Sequence, residues 1–205
     1  MTSLRENAIE ILEKYGIKFS KKDNTTRLCT VLRKNQNEIN WYRISECQKL
    51  SESFIKKFQD KLSLERILEC QKLSENFIRE LNLTVPVNNW LYKSKQFKLD
   101  YIKKNTKFKI VNNSIIAYKS CMSNGCSVFD FQYKYETGLT YESACDCNSD
   151  HLSSLGLYSW TKKKALKYYN KGILFKVKID LDDLGCITKE GKIRCFRLTV
   201  LEKVE

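Results

Sequence analysis

Four thiols and the only histidine of the chain crowd one stretch: Cys121, Cys126, Cys145, Cys147 and His151. A zinc ion takes four such ligands tetrahedrally. The spacing is C-x4-C followed by C-x-C, which lacks the paired C-x2-C knuckles of zinc modules. The expectation is therefore free, exposed thiols and no metal, with these four cysteines as the only metal candidates. A second group is basic. Residues 93–109 hold seven lysines against one acid, Asp100. Lys93, Lys95, Lys98, Lys103, Lys104 and Lys107 interleave with Trp90, Tyr92, Phe97 and Tyr101, so cations could follow a phosphate backbone while rings stack on bases. The alternative is that the rings pack inward and the lysines are solvated. A further lysine group lies at 162–167.

The 37 Lys and Arg outnumber the 24 Asp and Glu, for a net charge of +13. Such an excess favours acidic partners, whether nucleic acid, anionic lipid or an acidic protein. At 42% hydrophobic residues the chain can build a core, and global disorder is not expected. It has no apolar run of about 18 residues, so no membrane span is expected. The start, MTSLRENAIEILEKYG, carries acids and no apolar core, so secretion is not expected and the nine cysteines are read as reduced.

The elements that must position these groups fall into two sets. ISECQKLSESFI at 44–55 and ILECQKLSENFI at 67–78 match at ten of twelve positions, offset by 23 residues. That is the mark of a stacked helical repeat. Each unit is read as two short helices, the second capped by Ser51 or Ser74, with Cys47 and Cys70 as small core residues. A short helix over 4–14 and an eroded unit ending near 44 precede them. Composition changes around Pro86, so the domain boundary is expected at 82–90: a helical-repeat region over 1–85, with clear repeats at about 40–82, then a basic α+β domain over 90–205.

In the second region the apolar period becomes two. Phe129, Phe131, Tyr133 and Tyr135 alternate with polar residues, as do Ile173, Phe175, Val177, Ile179 and Leu181. Strands are also expected at 107–111, 115–119 and 193–200, and helices around Phe97–Ile102 and at 161–170. The fold class is α+β, short helical repeats followed by a largely antiparallel sheet with few helices.

The Gln-Lys-Leu-Ser-Glu-x-Phe-Ile core, Gln48 to Ile55 and Gln71 to Ile78, resembles a short helical repeat of proteins from large DNA viruses and phages. The resemblance implies an interaction scaffold, located in the host cytoplasm or virion. Residues 112–204 resemble a phage and giant-virus domain. The shared motifs are the strand IIAYKS at 115–120, the Gly138–Tyr141 turn, and the Gly-aromatic motif and helix in LGLYSWTKKKALKYY. More distantly, this order of parts is similar to the ADP-ribosyltransferase fold. That similarity implies nicotinamide dinucleotide (NAD) as cofactor. It assigns Lys119 beside Tyr118 to the cofactor anchor, Tyr158 to stacking on nicotinamide, and Glu202 to the carboxylate. Lys119 stands where that family has Arg or His, and lysine lacks the planar fork of arginine.

Three functions follow as expectations. The first is a non-enzymatic viral or phage interaction protein, binding a host or viral protein or another macromolecule, with no cofactor and no membrane partner. The second is an NAD-using ADP-ribosyltransferase-like enzyme. The third is a nucleic-acid-binding protein.

Overall fold

The computed structural model describes residues 40–47, 50–131 and 133–204, without the side chain of Cys47. The expected helix at 4–14, the eroded repeat before residue 40, and the side chains of Cys47, Gln48 and Lys49 lie outside the described residues. The chain divides into two compact units, residues 1–68 and 69–205. The division falls ahead of the 82–90 stretch where composition changes.

The repeats fold as four short helices: α1 (Trp41–Cys47), α2 (Glu52–Lys57), α3 (Leu64–Cys70) and α4 (Glu75–Glu80). The 23-residue offset of the sequence reappears in the starts of both helix pairs. The cause is local. Ser51 Oγ accepts a hydrogen bond from the Phe54 amide at 3.2 Å, and Ser74 Oγ accepts one from the Phe77 amide at the same distance. Each hydroxyl satisfies one of the amides that a helix start leaves without an intrahelical partner. Replacing Ser51 or Ser74 by alanine should therefore cost about 1 kcal/mol in either case. Urea denaturation of the two variants checks this, and a loss at one position only would contradict equivalent caps.

In the first unit Ile44, Ile55 and Ile67 are fully buried, together with Leu50, Leu62 and Leu68. Two charges, Glu46 and Arg66, are buried among them. The Glu46 carboxylate accepts from Arg66 Nε and Nη2, at 3.1 and 2.7 Å, and from Arg43 Nη1 at 2.8 Å. A buried carboxylate needs such partners to remain ionised.

The second unit contains α4, a 3₁₀ turn at Trp90–Tyr92, helix α5 (Lys95–Asn105) and helix α6 (Lys162–Tyr168). Its strands are β1 (Lys109–Val111), β2 (Ser114–Cys121), β3 (Thr140–Glu142), β4 (Leu157–Ser159), β5 (Ile173–Asp180), β6 (Leu184–Ile187), β7 (Ile193–Cys195) and β8 (Arg197–Val204). They form a five-stranded sheet, β1-β2-β5-β8-β3, and a three-stranded sheet, β4-β7-β6. Every strand pair is antiparallel. The α+β class is thus as the periodicities indicate. The Tyr118 and Trp160 backbones exchange hydrogen bonds of 2.7 and 2.8 Å, which ties β2 to the end of β4.

Alternation decides the faces. Ile115, Ala117, Lys119 and Cys121 of β2 and Phe175, Val177 and Ile179 of β5 are buried. In register on the opposite face stand Tyr118, Lys176 and Glu202. None of the described helices is long and apolar enough to cross a membrane.

Two strand expectations need correction. The segment around Phe129–Glu136 is not a strand among the described residues, but a turn with one bridge, Cys126 to Lys134. Ser127 Oγ accepts from the Phe129 and Asp130 amides at 3.2 and 3.3 Å, giving the backbone a local alternative to a ladder. Phe129 and Phe131 are consequently exposed, while Tyr135 is buried with Tyr133 and Tyr141 packed beside it. The expected strand at 193–200 is two strands in different sheets, broken at Phe196, whose amide donates to the Asp183 carbonyl instead.

Candidate functional site

The densest group of polar side chains surrounds Arg194 on β7. Asp146 and Arg194 are both fully buried, with Arg194 Nη1 at 3.8 Å from Asp146 Oδ2. Arg194 also donates through Nη2 to the Asn148 carbonyl and through Nε to Cys186 Sγ at 3.3 Å. Its Nη1 has no hydrogen-bond acceptor. The loop that carries Asp146 bends because Asp146 Oδ1 accepts from the Asn148 amide at 2.8 Å, and Asn148 Oδ1 accepts from the Asp150 amide at 3.0 Å. His151 is thereby returned to Asp146, with Nδ1 at 2.7 Å from Oδ2. Burial alone would raise the Asp146 pKa. Hydrogen bonds from Ser154, His151 and the Asn148 amide, with the Arg194 charge, outweigh it and hold the carboxyl below its ordinary value.

Glu69, in the last turn of α3, completes the group. Its Oε1 accepts from Asn148 Nδ2 at 2.9 Å and lies 4.0 Å from His151 Nε2. Among the described residues, Glu69, Asp146 and His151 form the one group whose ligand atoms gather closely enough to hold a metal ion. No thiol belongs to it. The cysteines expected as zinc candidates are instead buried. Burial raises the Cys121 thiol to about 11, Cys186 to about 12, and Cys145 well above its usual value. Thiols held in the protonated form are poor nucleophiles and poor metal ligands.

The repeat explains Glu69. It occupies the position of Glu46 one unit later, in the shared Glu-Cys-Gln-Lys-Leu run. Glu46 is covered by Arg43 and Arg66, whereas Glu69 is covered by the 146–151 loop through Asn148 and His151. In the second unit this loop supplies the donors that an arginine supplies in the first. The recurrence of glutamate beside Cys47 and Cys70 was the sequence signal for this residue, and it points to a structural carboxylate.

No protein-family model, curated protein or solved structure matches the chain. Its chemistry is therefore read from its own residues.

The residues assigned by the transferase resemblance are only partly brought together. Lys119 is buried and donates from Nζ to the Tyr158 carbonyl at 3.0 Å, with Nζ 4.6 Å from the centre of the Tyr135 ring. Burial lowers its pKa. The Tyr158 hydroxyl is engaged by the Ser154 backbone, and Lys192 Nζ lies 4.5 Å from the centre of the Tyr158 ring. Tyr118 and Glu202 belong to the other face of the five-stranded sheet, where Glu202 pairs with Lys176 at 2.8 Å. The carboxylate is thus separated from Lys119 by the sheet. A transferase needs it at the developing positive ribose.

The expected lysine stretch is also divided. Lys98 is buried and donates to the Leu184 carbonyl at 3.0 Å, and burial lowers its pKa. It shares the buried side of α5 with Ile102, which takes it off the surface. Lys95 pairs with Asp182 at 3.3 Å, and Lys93 Nζ sits 5.3 Å from the Phe97 ring centre. The rings of Trp90, Phe97 and Tyr101 pack against one another, with Trp90 buried. Lys103, Lys104 and Lys107 are exposed.

The second lysine group keeps its charge in solvent. On α6, Lys162, Lys163 and Lys167 are exposed, and among the described residues no carboxylate lies within ion-pair distance of them. Lys164 Nζ donates to the Glu190 carbonyl. The helix is held to β2 by Ser120 Oγ, which donates to the Ala165 carbonyl at 2.6 Å, with Ala165 fully buried. Its charged side is therefore fixed outward.

Proposed function

We propose that the chain is a non-enzymatic interaction protein, helical repeats followed by a basic α+β domain, and that the macromolecule this domain binds is nucleic acid. The observation that carries the reading is the side of α6 with Lys162, Lys163 and Lys167 exposed and free of carboxylate partners among the described residues. Several other cations are already engaged: Lys134, Lys176, Lys178, Lys189 and Arg197 pair with carboxylates, and Lys119 and Arg194 are buried. Unengaged lysines on a rigid element release the counterions of a phosphate backbone when they bind it. The repeat resemblance agrees with a scaffold role, as does a carboxylate lying across the sheet from Lys119.

The test is binding to labelled oligonucleotides over a salt series. Affinity should fall steeply with salt. The triple variant Lys162→Glu, Lys163→Glu, Lys167→Glu should bind at least tenfold more weakly and with a shallower slope, each lost phosphate contact removing about 0.7–0.9 from it. Binding that ignores salt, or a triple variant that binds like the parent, would remove the reading.

A further inference from the structure

The lysines of α6 have two rings beside them. Trp160 immediately precedes the helix cap and Tyr168 ends the helix, with ring centres 6.0 Å apart and planes inclined by 31°. Tyr168 is 53% exposed, and Trp160 is half-buried. Aromatic residues are normally withdrawn from water where packing allows, as Trp90 and Tyr135 are here. The pair is nonetheless well held. The Trp160 backbone is bonded both ways to Tyr118, and the helix carrying Tyr168 is pinned through Ala165 to Ser120. A ring held in place by its backbone loses little freedom when a ligand stacks on it. Lys192 Nζ adds a cation 5.7 Å from the centre of the Trp160 ring.

Rings and lysines favour different forms of nucleic acid. Phosphate neutralisation alone favours the duplex, whose charge density is higher and whose salt slope per contact is steeper. Stacking favours the single strand, because only an unpaired base offers a free face to a ring, and this gain does not depend on sequence. We propose that the α6 surface binds single-stranded polynucleotide, with an unpaired base stacked on Tyr168 beside Trp160 and the flanking phosphates on Lys162, Lys163 and Lys167. The inference rests on the nucleic-acid reading of the same surface. It adds which form is bound and which residue selects it.

The experiment compares the full chain with single-stranded RNA, single-stranded DNA and duplex DNA of one sequence, by fluorescence anisotropy at two salt concentrations. Tighter binding of either single strand than of the duplex is expected. Tyr168→Ala should weaken single-strand binding about 5- to 100-fold while leaving duplex affinity and the salt slope unchanged. Tyr168→Phe should restore the affinity, since the ring face and not the hydroxyl acts. Of the chain's three tryptophans, Trp160 should carry the fluorescence quenching on single-strand binding, so Trp160→Phe should abolish that signal. Tyr168→Leu, which keeps an apolar side chain on the helix, should lose affinity like the alanine variant and guards against an effect of unfolding.

Equal affinity for duplex and single strand with no effect of Tyr168→Ala would overturn the inference while the salt dependence upheld nucleic-acid binding. Absence of salt-dependent binding to every probe would overturn both.

Discussion

Arg194→Ala should destabilise the protein by on the order of 3–5 kcal/mol, the usual cost of removing one partner from a buried ion pair. The substitution leaves Asp146 fully buried and charged, and it deprives the Asn148 carbonyl of its guanidinium donor. The 3.8 Å separation of Nη1 from Oδ2 is long for a hydrogen bond, so most of the loss comes from the stranded carboxylate and not from a strong contact forgone. Arg194→Lys should recover little, because a point charge cannot reach Asn148 and Cys186 together as the fork does. The double variant Arg194→Met, Asp146→Asn should recover much of it by removing both charges. A pH signature accompanies the effect. The depressed Asp146 pKa contributes stability that is present above the ordinary carboxylate value of about 3.9 and is lost as pH falls through the lower folded value. Without Arg194 that acid dependence should shrink. Urea titrations between acid and neutral pH measure both effects, and a loss below about 1 kcal/mol for Arg194→Ala would refute the buried-pair account.

Gly172→Ala should be more damaging than Gly138→Ala. An added Cβ would stand 2.8 Å from the Met122 carbonyl carbon and 2.9 Å from its Cα, and closer still to the Cys121 carbonyl oxygen. All three are backbone atoms at the end of β2, where Cys121 pairs with Ile173, so relief requires the two central strands to part. Overpacking of this kind costs about 1–3 kcal/mol, and a clash with backbone belongs at the upper end. Gly138 is the control. It has φ +83° with nothing within 4 Å of an added Cβ, so Gly138→Ala should cost only the left-handed penalty of about 1–2 kcal/mol. Thermal melts of the two variants decide the matter, and equal shifts would count against the steric account.

The repeat was legible because its causes are local. Ser51 and Ser74 each take the amide three residues ahead, and Ile44, Ile55 and Ile67 supply one buried isoleucine to each of α1, α2 and α3. The alternation in β5 was legible for the same reason, since period two within one strand is enough to assign its faces. The Phe129–Tyr135 alternation satisfied the same rule and still did not become a strand. A ladder needs a partner edge, and the hydroxyl of Ser127 competes for the backbone first.

The candidate sites were less legible. Lys98 read as a phosphate-binding cation and Lys119 as a cofactor anchor, and both are buried on carbonyls, of Leu184 and Tyr158, that come from strands distant in sequence. His151 could be singled out in the sequence as the only histidine, and the repeat marks Glu69 as the counterpart of Glu46, but nothing in the sequence places Glu69 beside Asp146, 77 positions away.

By itself the sequence determined the helical repeat, its caps and its period, the α+β class, the alternating strands and the net positive charge. These follow from propensity, capping and periodicity over a few residues. Only the tertiary structure decided which lysines remain in solvent, that Cys121, Cys126, Cys145 and Cys147 are buried, that Glu202 lies across the sheet from Lys119, and that Arg194, Asp146, His151 and Glu69 meet. Each of these depends on which strand edges and loops pack together. A buried charge is tolerated only where a partner distant in sequence arrives to meet it.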